Sequence, residues 1–85
     1  RMAARGYWPA VAARFLSEGR YSRAVEVCKE GLAEEPSVVS GRVIYAQALY
    51  RAGQVESASE QFYQVLARDP ENLVAMRCLG DIKYA

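Results

Sequence analysis

The chain has 85 residues, 52% hydrophobic and 25% charged, with a formal net charge of +1, a composition that suits one small globular domain and excludes a disordered segment. Acids and bases are interspersed, so no strong positive field rewards a phosphate backbone, and nucleic acid is not the expected partner. Histidine is absent and the two cysteines, Cys28 and Cys78, stand far apart, which removes most zinc sites and the commonest general base, so no metal, no cofactor and no Ser-His-Asp or Cys-His chemistry is expected.

In chain order, the first 13 residues lack the hydrophobic block of a secretion signal, and no later apolar run approaches the roughly 18 residues of a membrane span. A cytoplasmic chain without membrane insertion is the expectation. A first helix is predicted from about Tyr7 to Glu18, because Trp8, Val11, Ala12 and Phe15 recur on one helical face. Pro9 then falls in the first turn, where no hydrogen bond is lost. Gly19 stands where a left-handed cap ends the helix without steric cost.

A second helix is predicted over Ser22–Glu34, a third over Val38–Ala52 with the stripe Tyr45, Leu49, Ala52, and a fourth over Glu56–Arg68. Gly53 supplies the turn between the third and the fourth. Asp69, Pro70 and Glu71 provide an N-cap, a proline for the first helical position and an acid for the helix dipole, so a fifth helix is predicted to start there.

Residues 5–38 laid over residues 39–72 align Ala12 with Ala46, Gly19 with Gly53, Ala24 with Ala58, Glu26 with Glu60, Leu32 with Leu66, Ala33 with Ala67, and Pro36 with Pro70. Seven identities in one gapless 34-residue register mark a solenoid. The small residues Ala12, Ala24, Ala46, Ala58 and Gly80 mark the expected close approaches between helices. The cysteines read as core residues. One domain, 1–85, is expected, with units 5–38 and 39–72 and a partial unit 73–85, as a piece of a longer protein.

These residues resemble the tetratricopeptide repeat family, whose pattern places Trp-x2-Leu-Gly-x2-Tyr in a first helix and Ala-x3-Phe-x2-Ala-x4-Pro in a second. The first unit offers Trp8, Val11, Ala12 and Phe15, then Ala24, Cys28, Gly31 and Pro36. The second offers Arg42, Tyr45, Ala46 and Leu49, then Ala58, Phe62, Val65 and Pro70, and the third opens with Met76, Leu79 and Gly80. Arg42 at a tryptophan position, Cys28 at an aromatic one, Val65 at a small one and Lys83 at a tyrosine position depart from it.

The resemblance implies an all-α, right-handed α-solenoid of antiparallel helix-turn-helix units. It also implies a non-catalytic scaffold that holds a peptide or helix in a concave groove lined by the first helix of each unit. The groove residues it implies are Leu16, Val43, Gln47, Tyr50, Arg51, Val74, Arg77, Asp81 and Tyr84, with Pro9, Ala13, Ser17, Ile44 and Cys78 beside them. One branch of the family clamps a chaperone peptide's C-terminal carboxylate at positions that here read Pro9, Ala13, Ile44, Val74 and Cys78. None of these donates a charged or amide hydrogen bond, so that ligand is not expected.

The partner implied is a protein or peptide, partly apolar, with Tyr50 and Tyr84 as anchors and Arg77 and Asp81 placed to pair with each other. The spacing of Glu26, Glu30 and Glu34 reads as solvated surface. An enzyme is disfavoured, because no phosphate loop, ligand cluster or base-paired nucleophile is present. Single-stranded RNA, read by related helical repeats, is disfavoured by the near-neutral charge. Self-association through an open end at Val74–Ala85, or a role as structural spacer of a larger protein, stands as the alternative.

Overall fold

The computed structural model describes residues 8–84. These residues form five helices: α1 (Trp8–Ser17), α2 (Tyr21–Glu34), α3 (Val39–Arg51), α4 (Val55–Arg68) and α5 (Leu73–Tyr84). No strand occurs among the described residues. The predicted start of the first helix at Tyr7 lies outside them.

Each helix packs on its successor, and α1 also packs on α3. The result is an all-α solenoid in which α1, α3 and α5 are the first helices of successive units and α2 and α4 are the second.

The turns repeat at hydrogen-bond resolution. After α1 the amide of Gly19 donates to Leu16 O at 3.1 Å and that of Arg20 to Phe15 O at 2.8 Å. After α3 the amides of Gly53 and Gln54 donate to Tyr50 O and Leu49 O at 3.0 and 2.8 Å. This is the Schellman pairing, which needs a left-handed residue, and Gly19 and Gly53 supply it with φ of 79° and 89°. At the unit boundaries Glu35 N donates to Gly31 O and Asp69 N to Val65 O, both at 2.8 Å.

The start of α5 differs from the expectation. Pro70 and Glu71 lie in the turn, and the cap is Asn72, whose Oδ1 accepts from Ala75 N at 2.9 Å while its Nδ2 donates to Asp69 Oδ2 at 3.1 Å. Asn72 wins because its side chain reaches an orphan amide of the first turn, while the Asp69 carboxylate holds the Asn72 amide in place.

The main core gathers Ala24, Val25, Ala46, Ala48, Leu49, Ala58, Phe62, Val65, Ala75 and Leu79. A second cluster, Trp8, Ala12, Cys28 and Leu32, joins α1 to α2. Four of the five predicted close approaches, Ala12, Ala24, Ala46 and Ala58, are fully buried. Gly80 is not one, because a Cβ built on it meets nothing within 4 Å. Val11 at 41% exposure and Ala52 in the turn after α3 also depart from their predicted stripes.

The two clusters fill one architectural space in two ways. In the first unit the Trp8 indole lies where side chains from Gly31 of α2 and Gly41 of α3 would stand, since a Cβ on either glycine would come within 2.1 Å of the ring. Its Nε1 donates to Glu35 Oε1 at 2.9 Å, so the buried indole leaves no polar atom unpaired. One unit later these positions are Arg42, Val65 and Ala75, and Cys28 becomes Phe62. Phe62, Val65 and Ala75 are all fully buried. The Arg42 guanidinium lies outside that space, with Nη1 donating to Gln61 Oε1 at 2.6 Å and Nη2 to Pro36 O at 3.1 Å.

Alanine favours a helix interior over glycine by about 1 kcal/mol, so the sign of a Gly-to-Ala change reports the space around it. Gly41→Ala is expected to lower stability by about 1–3 kcal/mol, because the clash with the indole outweighs the propensity gain. Gly80→Ala should raise it by about 0.5–1 kcal/mol. Ala58→Leu should cost about 1–3 kcal/mol by overpacking a fully buried site. Urea denaturation of the three variants checks all three signs.

Candidate protein-binding groove

The first helices α1, α3 and α5 form one row of the solenoid, and they carry every predicted groove residue. Direct packing of α1 on α3 is followed by a more open join between α3 and α5. There an open recess of about 320 Å³ is lined by Gln47 from α3 and by Leu73, Val74, Arg77 and Cys78 from α5. Of the predicted groove residues, Gln47, Val74 and Arg77 therefore come together. Leu73, at 77% the most exposed large hydrophobic side chain among the described residues, was missed; its position at the first residue of α5 follows from the Asn72 cap, which the sequence reading had placed at Asp69.

Leu16, Val43 and Tyr50 are half-buried and packed against the main core. They form apolar floor on this row rather than projecting side chains. Ile44 packs against the Trp8 cluster. Asp81 is exposed, and it is not in ion-pair contact with Arg77 as expected, since the ion pairs between described residues are Arg20–Glu18 at 3.7 Å and Arg23–Glu26 at 4.0 Å. The side chain of Tyr84 lies outside the described residues, so the expected pair of tyrosine anchors is represented by Tyr50 alone.

Arg51, exposed at the end of α3, is held by a residue that a reading confined to first helices overlooks. Its Nη1 donates to Tyr21 Oη at 3.2 Å, and its guanidinium lies 5.9 Å from the centroid of the Tyr21 ring. Tyr21 opens α2 immediately after the Schellman turn, which brings it beside the end of antiparallel α3. The phenol orients the guanidinium without neutralising it.

The cysteines divide as their surroundings dictate. Burial pushes the Cys28 thiol from 9.0 up to about 12, so it is an inert core residue. Cys78 is half-buried at the recess. Its thiol is raised by burial first and by Asp81 second, against the lowering influence of Arg77 and Arg51. Burial likewise raises Tyr45, with Cys28 adding to the effect and Arg42 opposing it. Among the described residues no group of three or more His, Cys, Asp or Glu side chains is arranged to hold a metal, and no helix is long and apolar enough to cross a membrane.

Helical hairpins closed by glycine turns, each unit stacked on the next through buried alanines, define a helical-hairpin repeat protein. A family model for the tetratricopeptide repeat matches residues 15–77, most of the chain, and the chain belongs to that family. Its members generally mediate protein–protein interaction and are typically non-enzymatic modules. Neither the curated proteins nor the solved structures contain a match to the chain.

The raised acids set a pH dependence. Cys28, Tyr45 and Cys78 all bind their protons more tightly in the folded state, so their contribution is fully present below about pH 9 and is lost as pH rises towards 12. The melting temperature should therefore fall from pH 9 to pH 11. Cys28→Ala should be less stable at neutral pH yet show a shallower alkaline fall, measured by circular dichroism across the titration.

Proposed function

We propose that the chain is a non-catalytic scaffold that holds a partner's peptide or helix against the row formed by α1, α3 and α5. The observation that carries this reading is the recess between α3 and α5, where apolar Leu73, Val74 and Cys78 meet Gln47 and Arg77. On the same row, Leu16, Val43 and Tyr50 add half-buried apolar surface packed against the core. A mainly apolar recess with a few polar groups is the usual form of a peptide site, and the aliphatic edge together with the Arg51 and Arg77 guanidiniums offers both burial and orientation.

The five positions of the chaperone-peptide clamp read Pro9, Ala13, Ile44, Val74 and Cys78, so a terminal carboxylate has no clamp here. The single domain 1–85 fits a segment of a longer solenoid.

A second reading is self-association through α5. Leu73 and Met76 are 77% and 50% exposed, and a Cβ on Gly80 would meet nothing within 4 Å. In the preceding units the equivalent positions Ala12 and Ala46 are fully buried, so this face of α5 is uncovered where its counterparts are packed. A second copy of the chain would bury it.

Two measurements separate these readings. A pull-down from the source cell's lysate should capture a partner with the native chain and lose it with the Val43→Glu, Tyr50→Ala double variant; equal capture by both would reject the groove. Sedimentation should give a mass that rises with concentration if α5 pairs with a second copy, and a constant monomer mass would reject that pairing.

A further inference from the structure

Charge is distributed by helix row, although the chain as a whole is close to neutral. The first helices α1, α3 and α5 carry Arg14, Arg42, Arg51, Arg77 and Lys83 against the single anion Asp81. The second helices α2 and α4 carry five glutamates, Glu26, Glu30, Glu34, Glu56 and Glu60, against Arg23, Lys29 and Arg68. One row thus bears a surplus of positive charge and the other a surplus of negative charge, which a net charge of +1 conceals.

The partners of the arginines sharpen the difference. Arg23 on α2 faces a carboxylate, Glu26, at 4.0 Å. On the first-helix row, Arg51 bonds the neutral Tyr21 phenol, and Arg42 bonds the Gln61 amide oxygen and the Pro36 carbonyl. Arg77 stands exposed on the wall of the recess. The Arg42 and Arg51 guanidiniums are oriented by neutral partners, and none of the three charges is compensated by a carboxylate within ion-pair distance among the described residues. A guanidinium positioned by neutral groups loses less conformational freedom when it meets a carboxylate.

We propose that the segment held by this row is acidic and aliphatic, its carboxylates received by Arg51 and Arg77 and its aliphatic side chains by the Leu73, Val74 and Cys78 surface. The proposal rests on the groove reading above and adds the chemistry of the occupant. The acidic second-helix row repels the same segment, so charge also selects which side of the solenoid it meets. Asp81 is the one opposing group on the first-helix row. An RNA strand is the competing polyanion, but the apolar part of the recess is Leu73, Val74 and Cys78, and the tyrosines of this row whose side chains are described, Tyr45 and Tyr50, are both half-buried and packed against the core. Neither offers an exposed platform for base stacking.

The test is fluorescence anisotropy on the 85-residue chain with three labelled short peptides, in which leucine alternates with glutamate, glutamine or lysine, and with a single-stranded RNA of mixed sequence. The glutamate peptide is expected to bind best, at least about tenfold tighter than its glutamine counterpart, and to weaken as salt is raised. Arg77→Gln and Arg51→Gln should each weaken the glutamate peptide by a larger factor than the glutamine peptide and so remove most of that advantage, and Asp81→Asn should strengthen glutamate-peptide binding. Tyr21→Phe keeps the ring and frees the guanidinium, and should weaken the glutamate peptide alone. Equal binding of the glutamate and glutamine peptides, lost together in the Val43→Glu, Tyr50→Ala variant, would overturn the charge inference and leave the groove standing. Failure of all three peptides to bind would overturn both. Tighter binding of RNA than of the glutamate peptide would assign the positive row to nucleic acid instead.

Discussion

The indole of Trp8 occupies a space that exists only because two glycines on different helices lack side chains. Gly31 belongs to α2 of the same unit and Gly41 to α3 of the next, so one side chain ties a hairpin together and ties it to its neighbour. In a solenoid each unit touches only adjacent ones, and stability is close to a sum of such local interfaces. The hydrogen bond from the indole to Glu35 places the ring against the unit boundary itself. The helix that presents Gln47 and Arg51, α3, is packed directly on this join.

The second unit meets the same packing constraint with different residues. Where the first has a large Trp8 among Cys28, Gly31 and Gly41, the second has Phe62, Val65 and Ala75 in the interior and an arginine that leaves it. Read singly, Arg42, Cys28 and Val65 are departures from the family pattern. Together they exchange volume between positions that face a common space, as close packing requires. The exchange also turns a core position into a cation that bonds across the unit boundary, adding to the positive row.

How much of this was legible beforehand depended on the range of the interaction. The glycine turns, the helix order and the buried alanines are consequences of local backbone chemistry and of a 34-residue period, and they were readable from residues such as Gly19, Gly53, Ala24 and Ala58. The cap of α5 was misplaced by three residues because Asp69 and Asn72 are both good capping residues, and only the paired geometry shows that one side chain supports the other. Gly80 carried the composition of a close contact, but small size permits an approach without supplying the helix that makes it. Tyr21 was overlooked because its role depends on lying beside the end of an antiparallel helix, a neighbour 30 residues away in sequence.

The amino-acid order alone was enough to set the fold family and the succession of helical hairpins, because period, turn chemistry and small-residue spacing are repeated within the chain and support one another. The pairing of Trp8 with Gly31 and Gly41, the orientation of Arg51 by Tyr21 and the recess between α3 and α5 were decided only in three dimensions. Each depends on the distance between side chains from different helices. A periodic pattern states that two faces meet, whereas the volumes and charges meeting there are settled when the helices take up their separation and angle.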